Sequence, residues 1–419
     1  MINRYSFKQV VQPKGGFLRG PFGGDLKKEI FVEKGNDTYK VYEQGVVLNS
    51  DKNIGRYYVS ENDFKAKLHK FSVQNNDFLV SCSGVNMGAI YQLKEPFERG
   101  IINQALLRIR LNAELIDDNY FLYLFKELIS KKITSGSGDS TIPNFPGLEI
   151  IKNIEFELPL KSIQVKIGKI LRDLDYKIEI NNRINAELEA MAKTLYDYWF
   201  VQFDFPNKNG KPYKSSGGKM VWSEELKREI PEGWDALKLL TKFTFEKGVE
   251  PGSAEYVEHK ESIHHVKFIR VGDVDGSSAI FIDTRLRNYS MVCERDVLVT
   301  FDGSVGKVAF GLEGAYSGGL RKIYDKSGIV DSSLIYFIFK DERIIRTIHK
   351  YATGSILLHA GSSINNLKIP FREKIYLEYQ SKIKSSYDKM VINKKENQKL
   401  AELRDWLLPM LMNGQVKVN

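Results

Sequence analysis

The chain has 419 residues, of which 42% are hydrophobic and 27% charged, and this composition is typical of a soluble globular protein with more than one domain. No stretch approaches the roughly 20 apolar residues that a membrane-spanning helix needs, so a membrane protein is excluded. The net charge of +9 favours a polyanionic partner, although proteins of several other classes share this charge balance.

The amino-terminal sequence and the cysteine content indicate the compartment. Residues 1–5 continue into polar sequence without the apolar core of a signal peptide, which predicts a cytoplasmic protein. Cys82 and Cys293 are too few for a disulfide framework or a Cys-based metal site. Both are interpreted as small apolar residues in reducing surroundings.

The first predicted module, residues 1–160, mixes strands and helices. Short apolar runs such as residues 41–48 are separated by Gly, Asn and Asp and are interpreted as strands. Residues 77–88 (DFLVSCSGVNMG) predict a strand that ends in a turn. Residues 117–126 (DDNYFLYLFK) predict an amphipathic helix with Asp117 as its N-cap, and an extended segment at Pro159 closes the module.

A long spacer helix is predicted next, over residues 161–203. Its apolar stripe consists of Ile167, Leu171, Leu174, Ile178, Leu188, Met191 and Leu195, with Asn181 inside it. The pattern is typical of a coiled-coil seam, and about 39 residues would extend roughly 58 Å. Residues 204–234 are rich in Pro, Gly and Ser, which predicts an exposed connector rather than a core segment.

The second half predicts the same order of elements, a module over residues 235–371 and a helix with a tail over residues 372–419. The stripe of this helix consists of Ile383, Tyr387, Met390, Leu400, Leu403 and Leu407, interrupted by Asn397. A polar residue in such a seam can fix register and partner choice. Ordinary core helices packed on their own modules are the alternative interpretation.

The two halves are an internal repeat. Five landmarks recur in one order, 211 to 219 residues apart: 77–88 with 296–306 (DVLVTFDGSVG), 117–126 with 331–340 (DSSLIYFIFK), 134–137 with 352–355, 158–160 with 369–371, and 180–181 with 392–393. Repetition at this scale predicts two copies of one structural module. A duplicated scaffold without a ligand remains an alternative.

Segments of the connector and of the C-terminus resemble a known family. They are residues 195–206 (LYDYWFVQFDFP), 209–222 (NGKPYKSSGGKMVW) and 403–416 (LRDWLLPMLMNGQV). They resemble the specificity subunits of type I restriction and modification systems, and the resemblance covers essentially the whole chain. It implies an α+β fold in which two globular mixed α/β target-recognition domains are separated by two long antiparallel helices. These helices form an intramolecular coiled coil with a pseudo-twofold internal repeat.

The resemblance also implies a function. Each domain would read one half of a split sequence in double-stranded DNA, leaving the spacer unread. The subunit would dock two modification (methyltransferase) subunits and, where they are present, restriction subunits that translocate and cleave DNA. S-adenosylmethionine, ATP and Mg²⁺ would belong to those partners, and this chain would be non-catalytic.

Catalytic motifs expected of an enzyme are missing from the sequence. A DNA methyltransferase would need a Gly-rich cofactor turn and an Asn/Asp-Pro-Pro-aromatic loop, and residues 22–24 are interpreted as a surface loop instead. Residues 303–307 (GSVGK) lack the spacing of a phosphate-binding loop and predict a tight turn. His259, His264 and His265 match no metal-ligand pattern with Glu258 or Glu261, so they are interpreted as a solvated or DNA-facing patch.

DNA readout needs donors and acceptors on loops, together with cations that bind phosphates. In the first module the candidates are Lys14, Arg19, Lys27, Lys28, Ser83, Asn86, Asn103 and Gln104. In the second module they are Lys247, Arg270, Arg285, Arg287, Asp302, Ser304, Lys307, Arg321 and Lys322. For each residue a merely solvated role is the alternative, so the prediction concerns the clusters.

The helix length predicts two half-sites about 34 Å or somewhat more apart, so that lengthening one helix should alter the gap. Two functions of other classes remain open on the sequence alone. One is a stand-alone DNA methyltransferase or nuclease, which methyl transfer by the purified chain would reveal. The other is a coiled-coil scaffold without DNA affinity, which salt-sensitive DNA binding would exclude.

Overall fold

The computed structural model describes residues 3–22, 24–84, 86–135, 147–276, 280–355, 357–416 and 418. The chain folds into two compact units: unit 1 comprises Met1–Tyr176 and Leu400–Asn419, and unit 2 comprises Lys177–Lys399. Among the described residues, no helix has both the length and the apolar character required to cross a membrane. The domain boundaries at residues 160, 203, 234 and 371 stay a prediction.

The described part of unit 1 combines two four-stranded sheets and one two-stranded sheet with helices. Its strands are β1 (Asn3–Ser6), β2 (Phe17–Arg19), β3 (Phe31–Val32), β4 (Thr38–Tyr42), β5 (Tyr58–Ser60), β6 (Phe78–Ser81), β7 (Ile90–Gln92), β8 (Gly100–Ile102), β9 (Leu106–Ile109) and β10 (Glu155–Leu158). The helices that begin in unit 1 are α1 (Phe7–Val10), α2 (Gln44–Leu48), α3 (Glu61–Asp63), α4 (Asp118–Ser135), α5 (Leu148–Lys152) and the long α6 (Lys161–Tyr196).

Unit 2 repeats this plan. Its strands are β11 (Met220–Ser223), β12 (Arg228–Pro231), β13 (Asp235–Lys238), β14 (Phe243–Lys247), β15 (Tyr256–Val257), β16 (His265–Ile269), β17 (Phe281–Asp283), β18 (Met291–Val292), β19 (Val297–Thr300), β20 (Val308–Ala309), β21 (Gly314–Tyr316), β22 (Leu320–Asp325) and β23 (Lys368–Phe371). Its further helices are α7 (Leu239–Lys242), α8 (Ser332–Phe339), α9 (Glu342–Lys350) and α10 (Glu373–Met412), which continues into unit 1.

The sheet order confirms the internal repeat. One sheet has the order β2-β9-β6-β7 in unit 1 and β14-β22-β19-β20 in unit 2, antiparallel throughout. A second sheet contains the parallel pair β4·β8 in unit 1 and the parallel pair β16·β21 in unit 2. The pair β1·β10 likewise corresponds to β13·β23. The two units therefore share one topology, with β18 and the hairpin strands β11 and β12 as additional strands in unit 2.

Alternating side chains of the central strands are buried on both sheet faces. In unit 1, Phe78 and Val80 face a core formed with α4, whereas Leu79 of the same strand faces the core of the second sheet. In unit 2, Val297 and Val299 face the larger core, and Leu298 faces the opposite one. Strands buried on both faces appear in the sequence as continuous apolar runs.

The two long helices pair in antiparallel fashion within unit 2. The carbonyl oxygen of Ala192 accepts a hydrogen bond from the hydroxyl of Tyr379 at 2.8 Å. Further along α6 towards its amino end, Asn185 pairs with Asn393, and Asn181 pairs with Asn397, which lies further towards the carboxyl end of α10. Residue numbers rise in one helix as they fall in the other, which is the antiparallel arrangement expected from the resemblance.

Two predicted members of the helix stripes lie outside the seam. Met191 and Leu403 are exposed, whereas Ala192 is buried where Met191 was expected. The contacting positions Asn181, Asn185, Leu188 and Ala192 follow alternating steps of four and three residues. That rhythm places Met191 one position off the contact face.

The connector is exposed or half-buried over most of its residues, as its composition predicts, but its two ends are buried. The strands β11 and β12 form a hairpin in it, and Phe203, Phe205 and Trp234 are buried in the core of unit 2. The ring centroids of Phe205 and Trp234 are 5.1 Å apart. Burial of these aromatic rings outweighs the turn-forming tendency of the surrounding Gly, Pro and Ser.

The apolar run at residues 41–48 contains the end of a strand and a short helix, not the single strand that the sequence predicts. Residues 41–48 were interpreted as a strand, but β4 ends at Tyr42 and α2 begins at Gln44. A short apolar run does not distinguish a strand from a buried helix by its periodicity. The helix places Gln44 beside the turn that follows β6, where it contributes to the site described below.

Candidate nucleic-acid interface

Four segments of unit 1 meet at the ends of the central strands, and we call them loop cluster 1: residues 19–20, residue 44 at the start of α2, and residues 83–84 and 103–104. The Nε of Arg19 donates to the carbonyl oxygen of Gln104 at 3.4 Å, although the two residues are 85 apart in sequence. The Nε2 of Gln44 donates to the hydroxyl of Ser81 at 2.7 Å and to the carbonyl oxygen of Ser83. The cluster therefore brings together segments that are distant along the chain.

Unit 2 contains the corresponding loop cluster 2: residues 247–250, 302–303 and 317–319. The amide of Val249 donates to the carbonyl oxygen of Tyr316 at 3.0 Å. The amide of Asp302 donates to the carbonyl oxygen of Gly319 at 3.2 Å. These loops line a cleft of about 450 Å³ whose polar side chains are Lys247, Glu250 and Asp302.

Equivalent main-chain contacts relate the two clusters. A Cβ on Gly20 would lie 1.9 Å from the carbonyl oxygen of Asn103, and a Cβ on Gly248 would lie 2.2 Å from that of Ser317. Both contacts require a residue without a side chain. Arg19 pairs with Leu107 on the strand pair β2·β9, and Lys247 pairs with Arg321 on the equivalent strand pair β14·β22. The cations Arg19 and Lys247 therefore occupy equivalent positions in the two units.

The turn after the central strand is closed in the same way in both units, although it has one residue more in unit 1. The amide of Gly88 donates to the carbonyl oxygen of Ser81 at 2.8 Å, and that of Gly306 donates to Thr300 at 2.9 Å. Gly84 and Gly303 both adopt positive φ, at 76° and 68°. Ser83 and Asp302 therefore occupy matching positions, and residues 303–307 form the tight turn that the sequence predicted.

The structure places several predicted DNA-binding residues in or beside these clusters. In unit 1 they are Arg19, Ser83, Asn103 and Gln104, with Asn86 exposed in the adjoining turn; in unit 2 they are Lys247 and Asp302, with Ser304, Lys307, Arg321 and Arg270 on neighbouring segments. Two of these cations already form ion pairs within the protein: Lys307 pairs with Asp275, and Arg270 pairs with Asp273. Arg321 is half-buried, donates to the carbonyl oxygen of Gly318 at 2.6 Å, and has its pKa lowered by burial.

Other predicted residues lie away from the clusters. Lys14 precedes β2, so it lies beyond the opposite end of that strand from Arg19, and Lys27 and Lys28 are exposed before β3. In unit 2, Arg285 pairs with Asp283 and Arg287 with Glu255, beside β17 and β15. Lys322 points away from the cleft lining, towards Glu246 at 3.0 Å and the carbonyl oxygen of Met291 at 2.8 Å. A DNA contact by any of them stays a prediction.

Three residues in or beside the clusters escaped the sequence analysis: Gln44, Glu250 and His359. The Oε1 of Glu250 accepts from the amide of Gly318 at 2.7 Å, and the Nδ1 of His359 lies 2.8 Å from the Oδ1 of Asp302. Glu250 lies two residues beyond Gly248, and alignment of Gly248 with Gly20 could have identified it. No local pattern singles out Gln44 or His359, because only the fold brings them to the turns.

The clusters have the chemistry required to bind a polyanion with hydrogen-bonding edges. Hydroxyl, carboxamide and carboxylate groups lie on exposed loops beside Arg19 and Lys247. Such groups can pair with base edges, while the cations can contact phosphates. Rigid strands hold the main chain of each loop, so these groups are positioned before any ligand binds.

The predicted histidine patch is wrong for His265. This residue is buried on β16, and its Nδ1 accepts from the amide of Glu261 at 3.2 Å. His259 and His264 are exposed. Within the part of the chain that the structure describes, His, Cys, Asp and Glu side chains form no group of three that could hold a metal ion.

We expect Gly20→Ala to disrupt loop cluster 1. The added Cβ would overlap the carbonyl oxygen of Asn103, so the main chain of residues 103–104 must shift, at a cost of about 1–3 kcal/mol. Thermal unfolding measures this loss. Gly24→Ala is the matched control, because a Cβ there meets nothing within 4 Å. Equal midpoints for the two variants would contradict the close approach.

The chain is similar in sequence to a known family model and to two known proteins. Residues 23–190 match the family model described as the type I restriction modification DNA specificity domain. The chain is 27% identical over 315 residues to the type I restriction enzyme MjaIX specificity subunit of Methanocaldococcus jannaschii, covering 71% of this chain and 69% of that protein. It is 22% identical over 415 residues to the type I restriction enzyme HindI specificity subunit of Haemophilus influenzae, covering 83% of this chain and 88% of that protein.

A solved structure supports the fold over the full length. The S subunit of a type I restriction-modification system from M. genitalium is 16% identical, with a TM-score of 0.53, covering 98% of this chain and 96% of that one. Its likeness concerns the fold alone. Together with the family model and the two sequence relatives, the repeated α+β architecture leads to one conclusion: the chain is similar over most of its length to specificity subunits of type I restriction enzymes, and residues 23–190 match their DNA specificity domain.

Proposed function

We propose that this subunit reads a split DNA sequence, with loop cluster 1 contacting one half-site and loop cluster 2 the other, and with an unread spacer between them. The observation that carries the proposal is the occurrence of the same loop arrangement on two copies of one framework. The main-chain contacts of the two clusters correspond, whereas their side chains differ. Two copies of one main-chain arrangement that carry different side chains can bind two half-sites of different sequence.

The partners follow from the same proposal. The subunit would direct two modification subunits to the split sequence, together with restriction subunits where these are present. S-adenosylmethionine would be bound by the modification subunits, and ATP and Mg²⁺ by the restriction subunits. Arg19, Lys247 and the other exposed cations beside the clusters would contact phosphates, whose neutralisation makes binding weaken as salt rises.

The experiment is the sequencing of methylated bases in DNA from cells that express this chain with its cognate modification subunit. Cells that express the modification subunit alone are the control. We expect a split methylated motif only when both chains are present. An assembled complex with an active modification subunit but no chain-dependent motif would overturn the proposal and favour a scaffold function. Methyl transfer by the isolated chain would favour an enzyme instead.

A further inference from the structure

The two loop clusters have the same main chain but different hydrogen-bonding groups. Loop cluster 1 offers the carboxamides of Gln44, Asn103 and Gln104 and the hydroxyl of Ser83. At the matching positions, loop cluster 2 has Asp302 in place of Ser83, and Ser317 and Gly318 in place of Asn103 and Gln104. Its cleft also contains Glu250. Unit 2 therefore presents two carboxylates in its cluster, one of them at the position of the Ser83 hydroxyl, whereas unit 1 presents carboxamides and that hydroxyl.

Both carboxylates are held in place by the protein. The Oδ1 of Asp302 lies 2.8 Å from the Nδ1 of His359, and the aspartate side chain is 28% exposed. The Oε1 of Glu250 accepts from the amide of Gly318 at 2.7 Å, and the glutamate is exposed. Each carboxylate thus uses one oxygen atom to fix its orientation while it lines an open cleft.

Carboxylates on a surface that faces DNA require a specific role, since they repel phosphates. Like charges placed opposite each other weaken binding and suppress wrong partners. The repulsion is offset where a carboxylate accepts a hydrogen bond from an amino group of a base. In the major groove, cytosine presents only its N4 amino donor, whereas adenine presents the N7 acceptor beside its N6 amino group. A carboxylate, which only accepts, therefore matches cytosine better than adenine, and guanine and thymine edges present acceptors to it.

We propose that Asp302 and Glu250 read the N4 amino group of cytosine in the major groove, so that the half-site bound by unit 2 contains a C·G pair at the position they contact. The inference rests on the proposed function and adds the class of base read by one of the two units. Lys247, at the rim of the same cleft, contacts the adjacent phosphates. Asp302 and Glu250 are specificity-determining residues in this assignment.

The test compares the methylated motifs of wild type and variants expressed with the modification subunit. The half-site that belongs to unit 2 is the one left unchanged by Ser83→Ala and Gln104→Ala in unit 1. We expect this half-site to contain a C·G pair. In Asp302→Asn, discrimination at that pair should fall about fivefold to a hundredfold, with the other half-site as in wild type. Glu250→Gln should weaken the same position.

Two further variants separate base readout from a structural role. Glu258→Gln removes an exposed carboxylate of unit 2 that is absent from the cleft lining, and it should leave the motif unchanged. His359→Ala removes the partner that orients Asp302 but keeps the carboxylate, so it should lower the discrimination at the C·G pair less than Asp302→Asn does. If His359→Ala relaxes the motif as Asp302→Asn does, Asp302 acts by holding His359, and the inference is overturned.

Other outcomes also decide the question. A unit 2 half-site without any C·G pair overturns the inference, as does a motif unaltered in both Asp302→Asn and Glu250→Gln. A uniform loss of methylation without a change of sequence preference overturns it as well. The absence of any chain-dependent motif in wild type is a different result, because that would overturn the proposed function itself.

Discussion

Replacing Asp77 with alanine is expected to destabilise unit 1 by about 3–5 kcal/mol, because it leaves buried cations without their carboxylate. Asp77 is fully buried, and its two oxygen atoms accept from the Nε and Nη2 of Arg110 at 2.7 and 2.8 Å. The same carboxylate accepts from the amide of Gln74 at 2.7 Å. One side chain therefore neutralises a guanidinium and closes a turn.

A second buried cation increases the dependence on Asp77. Arg108 is 2% exposed, and its guanidinium donates to carbonyl oxygens, including those of Lys70 and Gly15 at 3.1 Å each. Burial, followed by the charge of Arg110, lowers the pKa of Arg108 to about 10, and Asp77 opposes this shift. Loss of Asp77 thus removes the charge that favours the charged form of Arg108 and the ion-pair partner of Arg110.

The repeat provides a matched control in Asp296→Ala. Asp296 accepts from the amide of Cys293 at 2.9 Å, as Asp77 does from Gln74. Asp296 does not have the second role of Asp77, the neutralisation of a guanidinium, because Tyr324 and Lys322 occupy the positions that correspond to Arg110 and Arg108. We expect a loss of about 1 kcal/mol for Asp296→Ala.

Native-state hydrogen exchange of the amides in β6 and β9, and separately in β19 and β22, measures the two losses. Similar losses for Asp77→Ala and Asp296→Ala would contradict the importance of the buried arginines. The exposed pair of Asp37 and Arg99, with atoms 4.0 Å apart, supplies a second control. Asp37→Ala should change stability by less than about 1 kcal/mol.

Lengthening both long helices by three heptads is expected to lengthen the gap of the recognised sequence by about nine or ten base pairs. This prediction rests on the proposed split target. Twenty-one residues extend a helix by about 32 Å, close to one DNA turn of about 34 Å. An insertion of this length keeps the same face of the duplex towards each half-site, and whole heptads preserve the helix contact face.

Both helices must be lengthened together because they are paired. Within unit 2 the Nδ2 of Asn181 donates to the Oδ1 of Asn397 at 2.9 Å, and the Nδ2 of Asn393 donates to the Oδ1 of Asn185 at 2.8 Å. Within unit 1, Arg404 donates to Asp175 at 2.6 Å. Insertions between Tyr176 and Lys177 and between Lys399 and Leu400 leave all three pairs intact. The sequence alone predicts that lengthening one helix alters the gap, and that stays a prediction; the pairing is the reason to lengthen both.

Sequencing of methylated bases reads the gap and both half-sites at once. The doubly lengthened chain should give unchanged half-sites with the longer gap. A chain with the insertion in α6 alone is the control, and it should lose specific methylation because its helices no longer match in length. A wild-type gap in the doubly lengthened chain would show that the helices do not set the spacing.

The sequence by itself determined the duplicated architecture. Asp77 and Asp296 close the same turn, Gly84 and Gly303 adopt positive φ, and Asp331 caps α8 through the amides of Ser333 and Leu334. These requirements are local, so each one fixes a residue type at its position. The same holds for the long helices, whose apolar period repeats over many turns.

Only the tertiary structure decided which side chains share a site. Arg19 meets Gln104 because β2 and β9 pair, and Asp302 meets His359 because a later segment crosses the turn. Burial of Trp234 in the connector and of Ala192 in place of Met191 also depends on the packing partner. The sequence does not distinguish a cation such as Arg19, which lies at a loop cluster, from Lys322, which pairs with Glu246. The pair of Lys322 and Glu246 is a long-range contact that only the fold creates. Local sequence specifies the main chain, whereas long-range packing specifies the surface that it presents.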